Sequence, residues 1–150
     1  MTNVLVTGSN GQLGSEIRKV SLKKGFKDWI YCDSDSLDYL KLENITTFLN
    51  KVNPQLIINC AAYTNVDKAE LEFEIANIIN CSAVEIISKW THDNNRKLIH
   101  ISTDYVFDGL SDVPLNENSH TNPINEYGRS KLKGEQVCLK NDSNSIVIRT

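Results

Sequence analysis

VLVTGSNGQLGSE, residues 4–16, decides the fold. Asn3–Thr7 reads as a short apolar strand, and Leu13–Lys24 as a helix that ends before Gly25, a C-terminal stop signal. Between them Gly8, Gly11 and Gly14 recur as G-x-x-G-x-x-G, one residue longer than the dinucleotide fingerprint G-x-G-x-x-G. The physics is shared: glycines permit a tight turn and let backbone N–H groups approach a diphosphate at the positive end of a helix. Gln12 and Leu13 supply amides at that helix start. A bare connecting turn is the other reading, and the flanking strand and helix argue against it.

Outward from this turn the chain alternates strand and helix. Trp29–Cys32 is a second strand, and Ile45–Val52 a short helix stopped ahead of Pro54, which disfavours helical geometry at Asn53. Leu56–Ala61 is continuously apolar, as a parallel strand buried on both faces should be. Asp67 and Glu70 give a capping-box-like start to a helical stretch. Ala83, Ile86, Ile87 and Trp90 then mark an amphipathic helix at i, i+3, i+4 and i+7. Leu98–Ser102 is a strand, Asp108–Pro123 a polar loop, Glu126–Leu139 a helix and Ser145–Arg149 a last strand. The order predicts an α/β fold: a Rossmann-like doubly wound parallel sheet with helices on both faces and ligands at the strands' carboxyl ends. Residues 1–150 are expected to form one NAD(P)-binding domain, the N-terminal portion of a longer protein whose substrate-binding lobe lies largely outside this chain.

Composition narrows the function. With 40% hydrophobic and 23% charged residues the chain is ordinary for a globular protein. A net charge of -3 and no basic stripe argue against a nucleic-acid polymer as partner. No apolar run is long enough for a membrane span, and no export signal opens the chain. Cys32, Cys60, Cys81 and Cys138 lack Cys-x-x-Cys spacing and read as reduced structural thiols, which points to the cytoplasm.

Tyr127 and Lys131 in EYGRSKLKGE share one helix face at i and i+4. A free phenol has a pKa near 10 and is a sluggish proton carrier at neutral pH, and a nearby ammonium lowers that value. Lys131 can also hold ribose hydroxyls, and Thr103, just past the Leu98–Ser102 strand, can hydrogen-bond a substrate oxygen. Asp33 ends the second strand, where a carboxylate can bind the adenine-ribose hydroxyls and favour NADH over a 2′-phosphate. Asp35 and Asp38 cluster beside it, and Lys41 is a nearby cation for such a phosphate.

The glycine loop, LD with a following helix, NPQLIINCAAYTNVDKAE, LIHISTDYVFDG, NPINEYGRSKLKGE and VIRT together resemble the extended short-chain dehydrogenase/reductases, within them the dTDP-4-dehydrorhamnose reductases. The resemblance implies that Gly8, Gly11, Gln12, Leu13 and Gly14 form the pyrophosphate loop, with Asp33 near the adenine ribose. It implies adenine-side contacts from Asp38 and Tyr39, and a segment Ala62, Tyr63 and Thr64 beside the cofactor. Thr103, Tyr127 and Lys131 resemble the catalytic set, with Asp104 and Tyr105 facing substrate and cofactor. The implied reaction passes hydride from NADPH or NADH to C4 of dTDP-4-dehydro-6-deoxy-L-mannose, Tyr127 protonating the oxygen, to give dTDP-L-rhamnose. Asp38-Tyr39-Leu40-Lys41 departs from the family's acidic-apolar-Thr-Asp run. Some members place magnesium at a homodimer interface, with ligands that would not all lie in this chain, so no metal residue is assigned. Two rival readings are a nucleotide-sugar epimerase or dehydratase that retains its NAD, and a non-catalytic nucleotide-binding regulatory subunit.

His100, alternating with apolar neighbours, reads as a satisfied core histidine rather than a catalytic one. His92 and His120 stand in polar surroundings with no ligand spacing. Gly134 is expected to mark close packing against the sheet, and Trp29 and Trp90 to be core.

Overall fold

In a computed structural model, which describes residues 3–150, five parallel strands form one sheet in the order β2-β1-β3-β4-β5. They are β1 (Val4–Thr7), β2 (Trp29–Tyr31), β3 (Leu56–Asn59), β4 (Lys97–Ser102) and β5 (Ile146–Arg149). The connections carry α1 (Gln12–Lys23), α2 (Leu42–Val52), α3 (Val66–Ala69), α4 (Phe73–Asn77), α5 (Ala83–Asp93) and α6 (Glu126–Asn141). A π-helical turn, Ile78–Ser82, joins α4 to α5, and a 3-10 turn, Asp104–Val106, follows β4.

Register puts Leu5 beside Ile57 and Ile57 beside Leu98, one row on one face of the sheet. These three join Ile45 and Leu49 of α2, Val84 and Ile87 of α5 and Cys138 of α6 in the main core. Each such aliphatic side chain contributes roughly 1.5–3 kcal/mol on burial. Val4 and Val6 point to the other face, where the right-handed crossover from β1 to β2 sets α1. That face thins toward β5, where Ile146 and Ile148 are exposed. From β1 the chain runs to β2 on one side and then to β3 on the other, so a crevice opens at the carboxyl ends of β1 and β3.

The fold bears out the doubly wound parallel reading and corrects details. α2 begins at Leu42 rather than Ile45, because Leu42 also packs on the core and draws the first turn in. Asn65, not Asp67, caps α3: its side chain accepts from the Lys68 N–H at 3.0 Å. Trp29 is not core, since β2 is an edge strand and its ring stacks on Phe26 at 5.4 Å, half-buried. Trp90 is buried as expected. Gly134 packs against the π turn more than the sheet; a Cβ there would lie 2.1 Å from the Asn80 carbonyl oxygen.

Candidate active site

A cleft of about 910 Å³ opens along the carboxyl edge of the sheet. The β1–α1 turn forms one wall with Gly8, Asn10, Gly11, Gln12, Leu13 and Gly14. Gly8 has φ +62, and a Cβ on it would stand 2.6 Å from the Ala61 nitrogen. A Cβ on Gly14 would stand 2.3 Å from the Gly8 oxygen. Backbone therefore closes on backbone, and only glycine lets α1 start so near β1. Gly11 caps α1 without a side-chain hydrogen bond, so the first-turn N–H groups face the cleft with no competing acceptor of their own. Such a cradle fits a diphosphate.

Asp33, Asp38 and Tyr39 line the next stretch of wall. The Asp33 carboxylate is held by three donors: Ser36 N–H at 3.1 Å and Ser36 Oγ at 3.0 Å on Oδ1, and Asn10 Nδ2 at 2.6 Å on Oδ2. These bonds, those from Ser36 foremost, keep its pKa below the ordinary carboxylate value. Lys41 pairs with Asp38 at 3.7 Å, which engages the nearby cation. Tyr39 is buried, and its hydroxyl donates to Asn59 Oδ1 at 2.9 Å. Thr7 donates to the same oxygen at 2.7 Å, and Asn59 Nδ2 meets His100 Nδ1 at 3.1 Å. His100 is thus a core residue, but only half satisfied: its Nε2 has no partner among the described residues. Burial, with the Lys131 charge second, pushes its pKa down to about 3, so it is neutral.

After β3, Ala62 and Thr64 line the cleft. Tyr63 leans away: its hydroxyl donates to Glu72 at 2.5 Å. Its backbone is gripped at both ends by Asn80, whose Oδ1 accepts from Tyr63 N–H and whose Nδ2 donates to the Tyr63 oxygen. Asn80 Nδ2 also reaches Ser130 Oγ on α6 at 2.9 Å. The π turn puts that amide between the Ala62–Thr64 segment and the helix.

Tyr127 and Lys131 close the far end of the same cleft as the glycine turn. Asn125 caps α6 through the Gly128 N–H at 2.7 Å. Lys131 is 2% exposed and donates to the Ile101 carbonyl at 2.7 Å. Burial lowers its pKa to about 8, while the Glu135 charge opposes the fall. The Tyr127 phenol moves up rather than down: burial raises it, Thr103 pulls the other way, and Asp104 and Tyr105 add to the rise. The lysine charge expected to lower the phenol instead serves a strand carbonyl. Thr103 holds the adjoining turn, its hydroxyl donating to Asp104 at 3.2 Å and accepting from Tyr105 N–H at 3.2 Å. The Tyr105 ring meets Tyr127 edge-on at 5.5 Å. Thr103, Asp104 and Tyr105 therefore stand beside Tyr127, next to the wall made by Ile101, Ser102 and Thr150.

Asn10, Asn59, Asn80 and Glu135 escape sequence reasoning. An asparagine within a helical run and a glutamate one turn after Lys131 were the available signals. Among the described residues no group of three or more His, Cys, Asp or Glu could hold a metal ion, and no helix is long and apolar enough to cross a membrane. All four cysteines are free.

Comparison with known proteins gives a consistent picture. Residues 1–150 match the family described as the RmlD substrate binding domain. The dTDP-4-dehydrorhamnose reductase of Salmonella typhimurium is 36% identical over 152 residues, covering 99% of this chain and 50% of the relative. That of Aggregatibacter actinomycetemcomitans is 35% identical over 150 residues, covering 100% and 51%. The crystal structure of the dTDP-4-dehydrorhamnose reductase from Bacillus anthracis, in complex with NADP, superposes with a TM-score of 0.91 at 34% identity, covering 99% of this chain and 52% of that one. The chain spans about half the length of the relatives it matches.

Proposed function

Because the chain belongs to the RmlD substrate binding domain family, we propose that it is the cofactor-binding portion of an NAD(P)H-dependent reductase. Its reaction would convert dTDP-4-dehydro-6-deoxy-L-mannose to dTDP-L-rhamnose, in keeping with the relatives named dTDP-4-dehydrorhamnose reductase. The observation that carries this is one cleft holding the glycine turn at one end and Tyr127 with Lys131 at the other.

When bound, the dinucleotide supplies the hydride. The chain's residues do the rest. The amides at the start of α1 hold the diphosphate, and Asp33 accepts from the adenine ribose. Lys131 holds the nicotinamide ribose, and Thr103 donates to the C4 oxygen of the sugar. Tyr127 delivers a proton to that oxygen; a raised phenol pKa keeps the proton in place at neutral pH until charge develops there. Asp104 and Tyr105 face the substrate side. The four free cysteines suit a reducing compartment such as the cytoplasm.

In the full-length protein, Tyr127→Phe should lower kcat for a dTDP-4-keto-6-deoxyhexose by about 1000-fold, the scale of general acid catalysis. NADH affinity, read by calorimetry, should stay within about threefold, because a phenyl ring keeps the wall of the cleft. Undiminished turnover would remove Tyr127 from its role. Residues 1–150 alone should bind NADH yet turn over poorly, since remote contacts that position the sugar are fewer.

A further inference from the structure

One buried charge beside the reacting centre has no part in the scheme above. Glu135 lies one helical turn beyond Lys131 on α6 and is 3% exposed. Arg149, at the end of β5, clasps it with two parallel bonds, Nε to Oε1 at 2.9 Å and Nη2 to Oε2 at 2.7 Å. The same guanidinium lies 5.1 Å over the Phe107 ring, and its Nη1 donates to the Glu117 carbonyl at 3.4 Å. The next residue, Thr150, accepts at its carbonyl from the Asp104 N–H at 3.1 Å. The end of β5 thus grips α6 on one side and the Thr103–Phe107 turn on the other.

The groups acting on Lys131 are Glu135 from its own helix, Cys60 just past β3 and His100 from β4, and Tyr127 stands one turn before it on α6. Cys60 is held up at about 11, chiefly by burial, and Tyr127 is also raised, so both are uncharged at pH 7. His100 is neutral as well. Glu135 is the charged member of this set, its charge partly offset by Arg149.

Resting on the reductase reading of Tyr127 and Lys131, we propose that Glu135, clasped by Arg149, is a positioning residue that keeps Lys131 charged at working pH. A buried ammonium with a value near 8 stands close enough to neutrality that one carboxylate decides its state.

The test is a 13Cε NMR titration of the lysines in the full-length protein. The Lys131 resonance is the one lost in Lys131→Met. Its midpoint should fall near 8 in the wild type and drop by about half a unit or more in Glu135→Gln, which keeps shape and a hydrogen bond but removes the charge. Arg149→Lys keeps both charges and should leave the midpoint within about 0.3 units. A midpoint that stays put in Glu135→Gln, or rises toward the solvent value near 10.5, overturns the proposal. A drop cannot come from unfolding, which would move the lysine up. The titration uses no cofactor, so it can fail while NADH binding and turnover stand, and stand while they fail.

Discussion

The two ends of the cleft are built by different means. The glycine-turn end is local: strand, three glycines and helix occupy residues 4–23, and its shape is dictated by backbone meeting backbone at Gly8 and Gly14. The end that holds Tyr127 and Lys131 is assembled across the chain. Lys131 reaches Ile101, Asn80 reaches Ser130, and Arg149 reaches Glu135 and Phe107. The first end is rigid because nothing larger fits; the second is ordered because buried polar groups find one another. Binding and chemistry should therefore fail separately.

Gly14→Ala should have the largest effect on dinucleotide binding. Its methyl would meet the Gly8 oxygen and the Ser9 Cα at 2.3 and 2.8 Å, atoms that belong to the cradle itself. NADH binding by calorimetry should weaken about 100-fold or more, the cost of forcing backbone apart in a packed turn. Near-normal binding would break the contrast between the two ends.

Lys131→Met probes the other end by stability. The folded lysine loses its proton near 8 and the unfolded one near 10.5, so burying the ammonium costs stability below pH 8. That cost is relieved as pH rises from 8 to 10.5, where the unfolded chain binds the extra proton. The methionine variant should be more stable than wild type by up to about 3 kcal/mol at pH 7 in urea unfolding, with the gain fading toward pH 10.5. Turnover of the full-length variant should collapse, the trade expected of a charge kept for function.

Asn80→Ala should destabilise by about 2 kcal/mol, since it strands the Tyr63 N–H and carbonyl in a part-buried site. Urea midpoints measure this, and NADH affinity should fall less than in Gly14→Ala. Asp33→Ala should be the mildest: NADH binding about tenfold weaker with NADPH little changed, because one ribose acceptor is lost and a charge opposing a 2′-phosphate goes with it. Equal losses for both dinucleotides would show that Asp33 does not discriminate between them.

The same contrast explains what the sequence made legible. The glycine spacing, the strand runs and the i, i+4 pair are short-range signals, and they led to the fold and to the residues around the cleft. Asn65 displaced Asp67 as a cap because the choice depends on which side chain meets the Lys68 N–H, a matter of one residue of phase. Leu42 extended α2 through a core contact invisible in a propensity reading. Asn80 sits 17 residues from Tyr63 and 50 from Ser130, so its role exists only after folding. The phenol's rise had the same origin: spacing revealed a lysine one turn away, while the burial that raises the phenol, and the Ile101 carbonyl that accepts the lysine's hydrogen bond, lay in the third dimension.

α6 touches its surroundings at two places where no side chain can intrude. A Cβ on Gly128 would lie 2.2 Å from the Tyr105 oxygen, just as one on Gly134 would strike Asn80. Lys131 lies midway between these notches. A single-residue insertion or deletion between them would turn one notch by about 100° and drive a side chain into a carbonyl. Length variation in this helix is thus closed to evolution and to design alike.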